Sequence, residues 1–170
     1  PRLWIPLVMV AVVAALVFNF QVVFPLFVSQ DLDSPPSTYT LLYSVVSLGS
    51  LLGALAVARR SGTSVRFVAG SAIAFGVGMG LLAVAPGRGA AFLVAPLIGF
   101  ASITFMTSST ALVQVEALPE MRGRVLALQA MVFLGSTPIG GPVVGWVAEE
   151  MGARWAIALG ALACLAAGAW

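Results

Sequence analysis

No histidine occurs in the 170 residues, and cysteine occurs once, as Cys164. The first absence excludes an imidazole acid/base and the second an intrachain disulfide. Together they exclude a Cys/His zinc site. Charge is almost as scarce. Eight basic and six acidic side chains make 8% of the chain, against about 25% in soluble domains, and cannot coat a globule of this length. The net charge of +2 is too small for an electrostatic footprint on nucleic acid. What is abundant is apolar surface: 61% of residues are hydrophobic and mean hydropathy is +1.08. An ordinary soluble domain, a disordered tail and a nucleic-acid binder are all excluded. A polytopic membrane protein remains.

A helix needs about 20 apolar residues to cross the hydrocarbon of a bilayer. Six runs meet or approach this: 3–28, 39–58, 65–85, 90–115, 125–148 and 155–170. Lipid leaves an open chain no other way to satisfy its backbone, so the expectation is all-α, with six transmembrane helices. The breaks between runs are short and polar: 29–38, 59–64, 86–89, 116–124 and 149–154. None has room for a soluble domain. The first run is too long for the apolar core of a signal peptide and lacks a small-residue cleavage pattern. The chain opens on Pro1 and its last run ends at Trp170 without a flanking charge, so a segment of a longer protein is expected.

Arginine placement gives a direction. With the N-terminus in the cytoplasm, Arg2, Arg59, Arg60, Arg66, Arg122 and Arg124 fall inside, and only Arg88 and Arg154 outside. That asymmetry is the positive-inside pattern.

No Asp, Glu or Arg lies in the core of any run, and the other polar residues are unevenly shared. The third and sixth runs are the greasiest, the pattern of two inverted three-helix repeats whose other four helices line a central cavity. Gly49 and Gly53 in run two, and Gly141 and Gly145 in run five, have the four-residue spacing that lets helices pack closely. Asn19 and Gln21 in run one are either cavity groups or interhelical hydrogen-bonders. Two positions apart, they cannot share a face. Thr104, Thr107, Ser108 and Ala111 form a small polar stripe at helical spacing. They line a water-filled path, or their hydroxyls bond their own helix one turn back. Ser47 and Gln129 complete the candidate cavity set.

Candidate gating residues lie in the arginine-rich loops: Arg59, Arg60, Glu116, Glu120, Arg122, Gly123 and Arg124. Arg122 and Arg124 either contact carbonyls at a helix end or pair with Glu116 and Glu120; plain topogenic charge explains them equally. Pro138 and Pro142, beside Gly141 and Gly145, suggest a bent, closely packed pivot in run five. The Gly76–Gly80 repeat follows no strand and lacks dinucleotide-loop spacing.

The stretch from Pro119 through Arg122-Gly-Arg124, with Gly135-Ser-Thr-Pro-Ile-Gly-Gly-Pro-Val-Val-Gly145-Trp, resembles the last third of bacterial major facilitator superfamily exporters. The resemblance is nearest to the drug and siderophore efflux group that includes the enterobactin exporter and macrolide efflux proteins. Asn19-Phe-Gln21 with Pro25-Leu26, and Gly49 to Gly53 with Arg59-Arg60, resemble the start of the same half. The resemblance implies the C-terminal six-helix bundle of a twelve-helix transporter in a bacterial plasma membrane, working by alternating access and usually proton-driven. Its implied partners are the lipid bilayer, a small-molecule substrate and a missing N-terminal six-helix half. Two departures stand out. No acid precedes Arg59-Arg60, and the antiporter-type glycine–proline motif survives only as Gly141-Pro-Val-Val-Gly145.

Proton coupling uses an intramembrane acid in most cases, and these runs contain none, so if the full protein is proton-coupled its proton site is expected in the missing half. A mostly apolar wall suits hydrophobic or amphipathic cargo. A scaffold subunit and an uptake carrier of the same fold are the alternatives. An enzyme is not expected, since the adjacent Glu149 and Glu150 lie in a loop, and no cofactor or metal is implied.

Overall fold

The computed structural model describes residues 4–60 and 62–169. Arg2, Leu3, Ser61 and Trp170, which the sequence reading used as a topogenic charge, a loop residue and run ends, lie outside the described residues. Every regular element among the described residues is a helix. In chain order they are α1 (Trp4–Leu16), α2 (Phe20–Leu26) with a π-helical turn Phe27–Asp31, α3 (Pro36–Ala58) and α4 (Val65–Ala83). Then follow α5 (Arg88–Glu116), a 3-10 turn Pro119–Met121, α6 (Arg122–Met151) and α7 (Ala153–Ala169). Five spans are long and apolar enough to cross a membrane: Trp4–Asp31, Pro36–Ala58, Val65–Ala83, Arg88–Glu116 and Pro119–Met151. The sixth run is the shorter α7, of 17 residues, at the lower limit for a span.

Helix ends follow local chemistry. Pro36 opens α3, where its missing N–H costs nothing. The Ser64 hydroxyl caps α4 by accepting from the Phe67 amide. Gly152, at φ +97°, is the single residue between α6 and α7; a side chain would strain that reversal. Pro138 and Pro142 sit inside α6, which runs on through both.

The first run differs from its expected continuous form. It breaks at residues 17–19. The Phe18 amide reaches back five residues to the Val13 carbonyl, and Asn19 leaves helical geometry at φ −96°, ψ 36°. The Asn19 carboxamide then donates to the Ala15 carbonyl at 2.7 Å, supplying a bond the backbone has given up. Pro25 has no N–H for the Gln21 carbonyl. The break sets the Phe18 ring among Phe75 of α4 and Phe133 of α6, with centroids 5.6 and 5.3 Å away.

Packing follows a pseudo-symmetric pattern. Gly49 and Gly53 of α3 face the Pro96 and Phe100 carbonyls of α5, so this pair is parallel. Gly140, Gly141 and Gly145 of α6 face Ala15, Asn19 and Val22, making α6 parallel to α1–α2. Gly76 of α4 meets Ala161 of α7 while Gly168 meets Ala69, so that pair is antiparallel. Exchanging runs one to three with four to six maps α3–α5 onto α6–α1 and leaves α4–α7 in place, as inverted repeats require.

The closest approaches are backbone on backbone. A Cβ on Gly49, Gly99 or Gly140 would stand 2.1, 1.8 or 1.6 Å from a carbonyl oxygen. Gly141 and Gly145, the expected pair in run five, sit at ordinary contact distances of 3.4 and 3.7 Å. The tight position is Gly140. Four-residue spacing holds on a helix, but it does not say which of two adjacent glycines faces the neighbour.

Candidate functional site

The bundle leaves two helices poorly covered. On α3, Leu41, Leu48, Leu51, Leu52 and Leu55 are exposed, and on α6, Met131, Leu134, Ile139 and Trp146. Three serine hydroxyls on α3, those of Ser44, Ser47 and Ser50, bond backbone carbonyls. Ser44 and Ser47 donate to the Thr40 and Tyr43 carbonyls. Both still line an open groove of about 500 Å³ with Tyr39 and Tyr43.

On α5 the polar stripe is divided. Thr104 and Ser108 are buried in the packing. Ser108 donates to its own helix at Phe105, while the Thr104 hydroxyl has no hydrogen-bond partner. The open face lies to one side, where Thr107, Thr110, Ala111 and Gln114 line a groove of about 340 Å³. These positions have i, i+3, i+4, i+7 spacing, so they share a face as the expected stripe would have. Gln129 of α6 reaches that face: its carboxamide donates to the Thr110 hydroxyl at 3.2 Å. The same Gln129 leaves its Oε1 buried and unpartnered. An unsatisfied buried acceptor of this kind is costly in a finished structure.

The other candidates are dispersed. Asn19 is buried at the helix break, with its Oδ1 against Gly141. Gln21 is exposed on α2. Thus Thr107 and Gln129 meet through Thr110, and Asn19, Gln21 and Ser47 stand on separate elements.

Of the candidate gating residues expected in loops, Glu116 ends α5 and Arg122, Gly123 and Arg124 form the first turn of α6; Arg122 donates to the Ala117 carbonyl at 3.4 Å, the helix-end role. The ion pair among the described residues is elsewhere: neither Arg122 nor Arg124 pairs with Glu116 or Glu120. Gly123 has open space around it. Arg59 and Arg60 lie beside a groove between α3, α4 and α5, with the Arg60 guanidinium 4.0 Å over the Phe67 ring.

Sequence reading missed a fastening at the opposite end. Arg154 at the start of α7 binds Asp31 at 2.9 Å and donates to the Ala83 and Ala85 carbonyls at 3.2 and 2.8 Å. One guanidinium therefore ties the ends of the first span, α4 and α7. It uses the planar fork that lysine lacks. The pair is 123 residues apart in sequence, and only the shared loop polarity hinted at it.

A family model described as a transmembrane secretion effector matches residues 5–170. The chain belongs to this family of major facilitator transporters. No curated protein matches it. The transporter is thus a multi-pass membrane protein, and lipid contact accounts for exposed apolar side chains such as Val77 and Leu81 on α4 and Leu162 on α7.

Proposed function

We propose that this chain is the C-terminal six-helix half of an alternating-access exporter of hydrophobic or amphipathic small molecules, of the drug or siderophore type. The missing N-terminal half packs on the uncovered faces of α3 and α6. Cargo passes between the halves, along Gln21, Ser47 and the Thr107–Gln129 corner.

The observation that carries this reading is the character of those open faces. They are broad and apolar, with a few hydroxyls and one buried carboxamide acceptor left without a partner. Sugars or phosphates would call for amide-rich or charged walls. Export is proton-driven in this reading, and because no carboxylate lies in the middle of a span among the described residues, the coupling acid belongs to the other half. The arginine asymmetry supports an N-terminus of this segment in the cytoplasm, and the resemblance to bacterial exporters supports a bacterial inner membrane as its location.

The test is to express the whole gene in an efflux-deficient bacterium loaded with lipophilic dyes. Faster clearance that stops on addition of a protonophore is expected. Unchanged retention across neutral, cationic and anionic dyes would leave the scaffold reading. Faster dye entry would favour an uptake carrier.

A further inference from the structure

We propose that the groove between α3, α4 and α5, at the arginine-rich end of the bundle, holds an anionic phospholipid. Its volume is about 640 Å³. Arg59, Arg60 and Arg66 stand at its mouth, while Phe67, Gly70 and Phe100 form its walls. All three arginines are exposed, and among the described residues no carboxylate pairs with any of them. Stacking on Phe67 holds the Arg60 head at the entrance. Basic pockets between transmembrane helices at the membrane surface suit anionic headgroups.

Depth separates this groove from a merely basic loop. From Val65 at the start of α4 to Ala74 on its wall is nine residues, or about 13 Å along the helix. Half the hydrocarbon core is about 15 Å. Charge at the headgroup level and apolar wall over one leaflet's depth match a phospholipid with one chain in the groove. An acidic peptide would use the arginines and leave the lower wall bare. A second groove of about 470 Å³, between α1 and α7, is lined only by apolar residues such as Val8, Met9 and Leu162, so nothing there selects an anionic headgroup. The inference holds whichever leaflet this end meets, and it depends on neither the cargo nor the direction of transport.

The experiment is native mass spectrometry of the protein expressed from its whole gene, titrated in detergent with dioleoylphosphatidylglycerol or dioleoylphosphatidylcholine. The anionic phosphatidylglycerol is expected to bind at least tenfold tighter, since each arginine contributes roughly fivefold. A triple R59Q/R60Q/R66Q variant should lose that preference. Gly70→Leu is the second arm. No atom lies within 4 Å of a Cβ placed at Gly70, so the leucine fills the groove while every arginine and the fold remain. It should weaken phosphatidylglycerol binding several-fold at an unchanged melting temperature. Three results would overturn the proposal: equal binding of the two lipids, full affinity in Gly70→Leu, or displacement of the lipid by equimolar glycerol 1-phosphate. The second would reduce the site to diffuse surface charge, and the third to a free-anion site.

Discussion

Replacing Gly140 by alanine should loosen the transporter far more than the same change at Gly141. On Gly140 the new methyl would stand 1.6 Å from the Ala15 carbonyl oxygen and 2.4 Å from its carbon. That is about 1.8 Å short of the 3.4 Å at which ordinary contact begins. The obstacle is backbone, so no rotamer relieves it. Either α6 withdraws from α1 or the turn at Ala15 shifts, and with it the 2.7 Å bond from Asn19. Overpacking of a fixed interface costs about 1–3 kcal/mol, sometimes more, and the size of this overlap puts Gly140→Ala at the upper end. At roughly 2–4 °C per kcal/mol for a chain of this size, Tm should fall by about 6–12 °C. On Gly141 the nearest atom is the Asn19 Oδ1 at 3.4 Å, and Gly141→Ala should melt within about 2 °C of the parent. The assay is thermal unfolding of both variants in one detergent. Equal melting temperatures would refute the argument that backbone contact at Gly140 sets the α1–α6 distance.

Other perturbations follow from the same geometry. Arg154→Lys keeps the charge but cannot serve Asp31, Ala83 and Ala85 together. With the pair partly exposed, a loss of roughly 1–2 kcal/mol is expected, read as a lower Tm and faster amide exchange around Ala85. Gln129→Leu removes a buried unpartnered acceptor and leaves the Thr110 hydroxyl bonded to Met106. Stability should change by less than about 1 kcal/mol while the ranking of transported dyes shifts; an unchanged ranking would take Gln129 out of the cargo path. Glu116→Gln and Glu120→Gln should alter transport rate without abolishing proton coupling. Proton-to-cargo stoichiometry in proteoliposomes decides that, and lost coupling would bring the proton site into this half.

The six runs were legible because lipid imposes a single rule, about 20 apolar residues between polar breaks, and the helices begin and end within a few residues of them. The break at Asn19 was not legible. Asn19 and Gln21 read as polar groups within one apolar run, and the break goes with a carboxamide bond to Ala15 and aromatic packing on distant helices. The expected α5 stripe divides: Thr107 and Ala111 line the open groove with Thr110 and Gln114, while Thr104 and Ser108 are buried. A helix with small residues on every side gives periodicity little contrast. Gln129 was named from polarity alone, but its partner Thr110 depended on how α5 and α6 face each other. Arg154 read as topogenic charge because nothing local distinguishes a surface arginine from one that joins the ends of three helices.

The central claim, that the open faces belong to an alternating pathway, is tested most directly by accessibility at its two ends. Ser44 is exposed on the first half of α3 and Gln114 on the last turns of α5, which runs parallel to it. Ser44→Cys and Gln114→Cys, made separately in the whole protein, can be labelled with a membrane-impermeant maleimide in right-side-out and inverted vesicles. Each should react from one side only, and addition of cargo or a proton gradient should speed one and slow the other. Rates that rise and fall together, or that ignore both cargo and gradient, would contradict the account.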